Sequence, residues 1–120
     1  MKIRSEYTCP IEVVTDMLRD KWKTIILWRL RLGPTRLSKL HKDIENITEK
    51  MLLQQLSELT DCGLVIKNSH QGYPLKVEYS LSSSGLELLE ALKIMQDLGS
   101  KILSDSSCTS AENTVTISHA

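Results

Sequence analysis

Residues 47–63 read ITEKMLLQQLSELTDCG, and both ends of a helix are written in them. Thr48 has the side-chain oxygen that an N-cap needs, Ile47 before it can staple onto Leu52, and Gly63 supplies the left-handed residue that stops the helix. At 100° per residue Leu52, Leu56 and Leu59 share one face, while Lys50, Gln54 and Ser57 point the opposite way. The helix thus has a leucine face to bury and a hydrogen-bonding face to present, with Leu53 on the flank of the latter.

Directly after Gly63 the apolar period changes. Leu64–Lys67 and Val77–Leu81 are strand-like, and the turn signals His70-Gln71-Gly72-Tyr73-Pro74 lie between them. A β-hairpin follows the helix. Upstream, Leu37, Leu40 and Ile44 form a short helical pattern with Arg36, Lys39 and Lys42 on its other sides. Before that, Trp22–Leu30 is apolar on most sides of a 3.6-residue period and is stopped by Gly33-Pro34, which makes it the buried centre of the fold. Pro10 can open a first helix, because its missing N–H is not needed there, and Ile11, Val14, Met17 and Leu18 then share a stripe.

Downstream, Leu86–Leu103 carries Leu88, Ala91, Leu92, Ile94, Met95, Leu98 and Ile102 over about 180°, wider than the roughly 100° that one core covers. Part of this helix should pack on a partner subunit. From Ser104 the chain is Ser- and Thr-rich without a helical stripe. The expected organisation is one domain over 1–103 and a flexible tail over 104–120.

The 120 residues, 41% hydrophobic and 25% charged, suit a single domain with its own core. The net charge of zero is segregated: residues 1–42 hold ten Lys or Arg against four Asp or Glu, and residues 43–120 hold five against eleven. Such division is expected when one part of a chain faces phosphates. No apolar run approaches the roughly 20 residues that span a bilayer, and the N-terminus lacks the apolar core of a signal peptide, so no membrane contact and a cytoplasmic location are expected. Three cysteines without CxxC spacing, and three histidines far apart, argue against a disulfide framework, a metal site or a cofactor. No Ser-His-Asp, Cys-His, paired-carboxylate or phosphate-loop pattern suggests an enzyme.

Three helices, a capped fourth and an immediate hairpin are the parts of a winged helix-turn-helix, a mainly α fold with a small antiparallel β-hairpin (α+β), in which the capped helix enters the major groove of double-stranded DNA. On its outer face Gln54 can pair bidentately with adenine, Lys50 can reach guanine or a phosphate, Ser57 can bond to several base edges, and Leu53 can touch a thymine methyl. Arg36, Lys39, Lys42 and Thr48, with Lys67, His70 and Lys76 on the hairpin, are candidates for contacts to the DNA backbone. Two other readings are compatible with the sequence: a winged-helix domain that binds protein, and a DNA-binding one controlled by a small ligand between its dimer helices.

The blocks CPIE, KWKTIILWRLRLGPTRLSKL, TEKMLLQQLSELTDCGLV and VEYSLSSSG, spread from Cys9 to about Gly99, resemble the HxlR-type winged-helix transcription regulators. The resemblance implies a homodimer built from the first and last helices, with two reading helices facing successive major grooves of a palindromic operator. Leu37 stands where the family often has an aromatic residue, and Leu53 where it often has a polar one. The resemblance also implies that Cys9 detects an oxidant or small electrophile. An N-cap position before Pro10, with Lys2 and Arg4 nearby, would favour its thiolate. Cys62, at the electronegative end of a helix, is expected to be inert, and Cys108 on the tail could serve as a resolving thiol for an intersubunit disulfide.

Overall fold

The computed structural model describes Tyr7, residues 9–70 and residues 76–105. The elements are α1 (Ile11–Met17), α2 (Lys21–Arg29) with a 3-10 turn at Leu30–Leu32, β1 (Thr35–Arg36), α3 (Leu37–Asp43), α4 (Glu49–Asp61), β2 (Val65–His70), β3 (Lys76–Leu81) and α5 (Ser83–Ser104). The strands form one antiparallel sheet in the order β1-β3-β2. This is the expected winged helix-turn-helix with one strand more than the sequence suggests. Two residues, Thr35 and Arg36, pair with Tyr79 and Glu78, and a strand that short leaves no period-2 signature to read.

The core is aliphatic. Ile26 and Leu27 from α2 and Leu30 from the 3-10 turn after it meet Leu40, Ile44 and Ile47 around the turn between α3 and α4, and Leu52, Leu56 and Leu59 from α4 complete the centre. Each of the three α4 leucines is fully buried, worth about 2 kcal/mol apiece in area removed from water. Val65, Tyr79 and Leu81 close the core from the sheet side.

Both ends of α4 follow the chemistry of its sequence. Thr48 accepts a hydrogen bond from the Met51 N–H at 3.1 Å, and Gly63 adopts φ +85°. The Leu64 N–H donates to the Leu59 carbonyl and the Gly63 N–H to the Thr60 carbonyl, the pair of bonds that defines a Schellman end. Helix α5 docks on this turn. Ser82, its N-cap, accepts from Gly85 N–H and donates its hydroxyl to the Gly63 carbonyl at 2.6 Å. A Cβ at Gly85 would run into the Leu64 carbonyl oxygen, so α5 approaches that closely only with glycine there. The helix starts three residues before the apolar stripe because its first turn is polar.

The apolar faces of α1 and α5 are largely uncovered within one chain. Ile11 is 67% exposed and Ile94 70%, and Leu86, Met95, Leu98 and Ile102 are exposed with them. Only Leu92 of α5's apolar sector is buried. Among the described residues no helix is long and apolar enough to cross a membrane.

Candidate nucleic-acid interface

Helix α3 and helix α4 are held at a fixed angle by the turn between them. Asn46 takes up the left-handed region there, φ +68°, which asparagine tolerates better than most residues. His41 reaches across the turn, its Nε2 3.1 Å from the Ile47 carbonyl oxygen. Ile44 and Ile47 on either side are buried. With its leucines sunk in the core, α4 turns Lys50, Leu53, Gln54 and Ser57 outward, and all four are exposed. The Thr48 oxygen is occupied by its cap bond, so only its hydroxyl proton is free to reach a phosphate.

The cationic candidates fall into distinct places. Lys39 and Lys42 are exposed on α3, and Lys39 pairs with Asp43 at 3.2 Å. Arg36 does not belong to the third helix as the sequence suggested. It is the second residue of β1, extended at φ −78° and ψ 156°, and precedes α3 as its N-cap. Nor do the hairpin candidates share a face. Lys67 pairs with Tyr79 and His70 with Lys76, and alternation along a strand puts Lys67 on the side of buried Tyr79 while His70 and Lys76 take the other side. On that other side Arg36 and Asn68 both flank Glu78, whose carboxylate lies 3.4 Å from His70 Nε2. An anion thus sits amid the residues that the sequence points toward phosphate.

The largest departure from the sequence reading is in α2. Lys23 is 1% exposed, and its Nζ donates to Glu58 Oε1 at 2.6 Å, Gln55 Oε1 at 2.8 Å and Asp20 Oδ2 at 3.2 Å. A buried ammonium has three protons to place, and this one places all of them. The Lys23 hydrogen bond outweighs partial burial and holds the Glu58 carboxyl below the usual carboxylate range. Sequence reasoning named neither Lys23 nor Gln55 nor Glu58. The signal was present: Lys23, Ile26, Leu27 and Leu30 have the i, i+3, i+4, i+7 spacing of a buried stripe, with a cation in its first position.

Cys9 is exposed at the start of α1. Its carbonyl accepts from the Glu12 N–H at 2.9 Å and its N–H donates to Glu12 Oε1 at 3.3 Å, but the N-cap of α1 is Pro10, in helical backbone, so Cys9 stands one residue before the N-cap position that the sequence suggests. Cys62 is half-buried, its Sγ donating to the Leu59 carbonyl, and burial pushes its thiol up from the ordinary value. Lys2, Arg4, Cys108 and residues 71–74 of the expected turn lie outside the described residues. A cleft of about 510 Å³ opens between α2, the turn after α3, and α5, lined by Trp22, Ile25, Trp28, Ile44, Leu92 and Met95 among others.

A capped helix with a buried leucine face and an exposed polar row, preceded by a helix-turn and followed by a hairpin, defines a winged helix-turn-helix protein. The chain belongs to the HxlR-like helix-turn-helix family of transcription regulators, whose family model matches residues 17–107. The uncharacterised HTH-type transcriptional regulator YkvN of Bacillus subtilis is 44% identical over 94 residues, covering 78% of this chain and 76% of that protein. Among solved structures, the reduced form of the redox regulator HypR superposes with TM-score 0.74 at 32% identity, covering 78% of this chain and 92% of that one. The reduced form of the transcriptional regulator YodB from B. subtilis gives 0.70 at 28% identity, over 88% of this chain and 100% of that one.

Proposed function

We propose that the protein acts in the cytoplasm as a homodimer that binds a palindromic duplex operator, with its affinity controlled by the Cys9 thiol. The observation that carries the DNA-binding part is the outer row of α4, where Lys50, Leu53, Gln54 and Ser57 stand exposed on a helix pinned by three buried leucines. These residue types supply the donors, acceptors and apolar contact that base edges require. Arg36, Lys39, Lys42, Thr48, Lys67, His70 and Lys76 contact the backbone. The dimer is built from the uncovered apolar faces of α1 and α5, and its two-fold axis sets half-sites about 10 bp apart or a multiple of that.

Thiol control is supported by the exposure of Cys9 and by the redox regulator among the structural neighbours. An electrophile adds to the Cys9 sulfur. A two-electron oxidant joins it to the partner subunit's Cys108, two thiols giving one disulfide with loss of two protons and two electrons. The test is binding of the reduced protein to a duplex selected from a random pool, with non-specific competitor present, repeated after diamide treatment. Binding that diamide changes in the parent chain and leaves unchanged in Cys9→Ser supports the reading. An equal response in Cys9→Ser removes Cys9 from it, and an unaltered disulfide-linked dimer in Cys108→Ser removes Cys108.

The cleft beside Trp28 favours a second signal, a small ligand with both apolar and polar groups, since Lys21, Arg29, Arg31, Asp43 and Glu45 line it together with its apolar residues. A compound that shifts operator affinity equally in the parent chain and in Cys9→Ser would identify that route.

A further inference from the structure

Glu58 lies on the inner edge of the reading helix, against Lys23 of α2, yet the pair connects to the outer row of that helix. Glu58 follows Gln54 by four residues, about 40° around the helix from it and one turn further on. Glu58 Oε1 accepts from Lys23 at 2.6 Å, and Glu58 Oε2 accepts from Gln54 Nε2 at 3.4 Å. Lys23 is held from the other side by Gln55 and Asp20, so the carboxylate is anchored from the core and offers its second oxygen to the outer face.

We propose that Lys23 and Glu58 are positioning residues that fix the orientation of the Gln54 amide and thereby set its base preference. The inference rests on the assignment of Gln54 as a base-reading residue. An ionised carboxylate only accepts hydrogen bonds, so the amide must turn its NH2 toward Glu58. The amide oxygen and the remaining N–H are then left to face the groove. One acceptor beside one donor is what adenine requires, with its N6–H and N7, whereas guanine offers two acceptors, N7 and O6. Without the anchor, the terminal torsion of glutamine has two broad wells with oxygen and nitrogen exchanged, so the adenine-matching orientation has to be selected on binding and the preference between the two purines weakens.

Glu58→Gln is nearly isosteric and gives a readout that a purely structural role would not move. Its oxygen can keep Lys23, and its NH2 then faces Gln54, which must answer with its own oxygen. The flipped Gln54 presents both its N–H groups to the groove and favours guanine.

The experiment measures binding of the full chain to a selected operator and to its single-base variants, with Gln54→Ala used to locate the base pair that residue 54 reads. At that pair Glu58→Gln is expected to lower the adenine-over-guanine preference about tenfold, the order of one bidentate contact, with preferences elsewhere within about twofold. Glu58→Gln added to Gln54→Ala should change that preference no further. Uniform weakening at every base pair, or an unchanged profile in Glu58→Gln, overturns the proposal while leaving Gln54 as a reader. A profile that Gln54→Ala does not alter overturns the assignment of Gln54 itself, and the proposal with it.

Discussion

At the residue scale the fold turns on one buried cation. Lys23 occupies a position that the helical period assigns to a leucine or isoleucine, and it is acceptable there because three oxygens surround it. Truncation to Lys23→Ala removes the ammonium and opens a cavity. Glu58 and Asp20 can both rehydrate from the surface, so the cost is expected at the low end for a broken buried pair, about 3 kcal/mol in chemical denaturation. The pair also links stability to pH. Because Glu58 titrates below its ordinary 4.5 in the folded chain, its contribution is complete above that value and is lost as pH falls through the depressed one. Urea melts between pH 6 and 3 should therefore show a smaller acid loss for Glu58→Gln than for the parent chain. Asp20 carries a separate strain, φ 84° and ψ 151°, in a region that only glycine occupies readily. Asp20→Gly is expected to keep or raise stability by about 1 kcal/mol, and Asp20→Ala to lower it, since alanine keeps the strain and loses the Lys23 contact.

Legibility differed from element to element for physical reasons. Helix α4 could be read to the residue because its cap, its leucine stripe and its terminal glycine are all local signals. The core around Ile26 and Leu27 was legible from periodicity. What local signals do not name depends on distant partners: the apolar stripe puts Lys23 toward the core, but the oxygens that receive it, on Gln55 and Glu58, lie more than thirty residues away, and β1 exists only through β3. The hairpin shows how register redistributes candidates that composition alone groups together. Arg36, His70 and Lys76 share a face with Glu78, and Lys67 does not. If that face lies on phosphate, Glu78 opposes binding. Glu78→Gln should then tighten DNA binding about threefold near 0.1 M salt and steepen its salt dependence, as the loss of one opposing charge requires. Fluorescence anisotropy over a salt series measures both.

At the scale of the whole molecule, one chain buries a compact aliphatic centre and leaves α1 and the outer half of α5 apolar and bare. A second copy of the chain is the occupant that the two-fold reading of an operator needs. Ile94→Glu, at an exposed position on α5, should leave the fold of the single chain intact while placing a carboxylate in the proposed dimer contact. Sedimentation should then give the 13.6 kDa of one chain, and operator affinity should fall with the loss of the second half-site. A variant that stays dimeric would place the contact elsewhere. If the outer row of α4 reads base sequence, the difference shows when the parent chain and Gln54→Ala are compared on a selected operator and on random duplex DNA at one salt concentration. The parent chain should prefer the operator by about a thousandfold or more, and Gln54→Ala should lose roughly tenfold on the operator with no change on random DNA. Equal losses on both, or no preference in the parent chain, would contradict it.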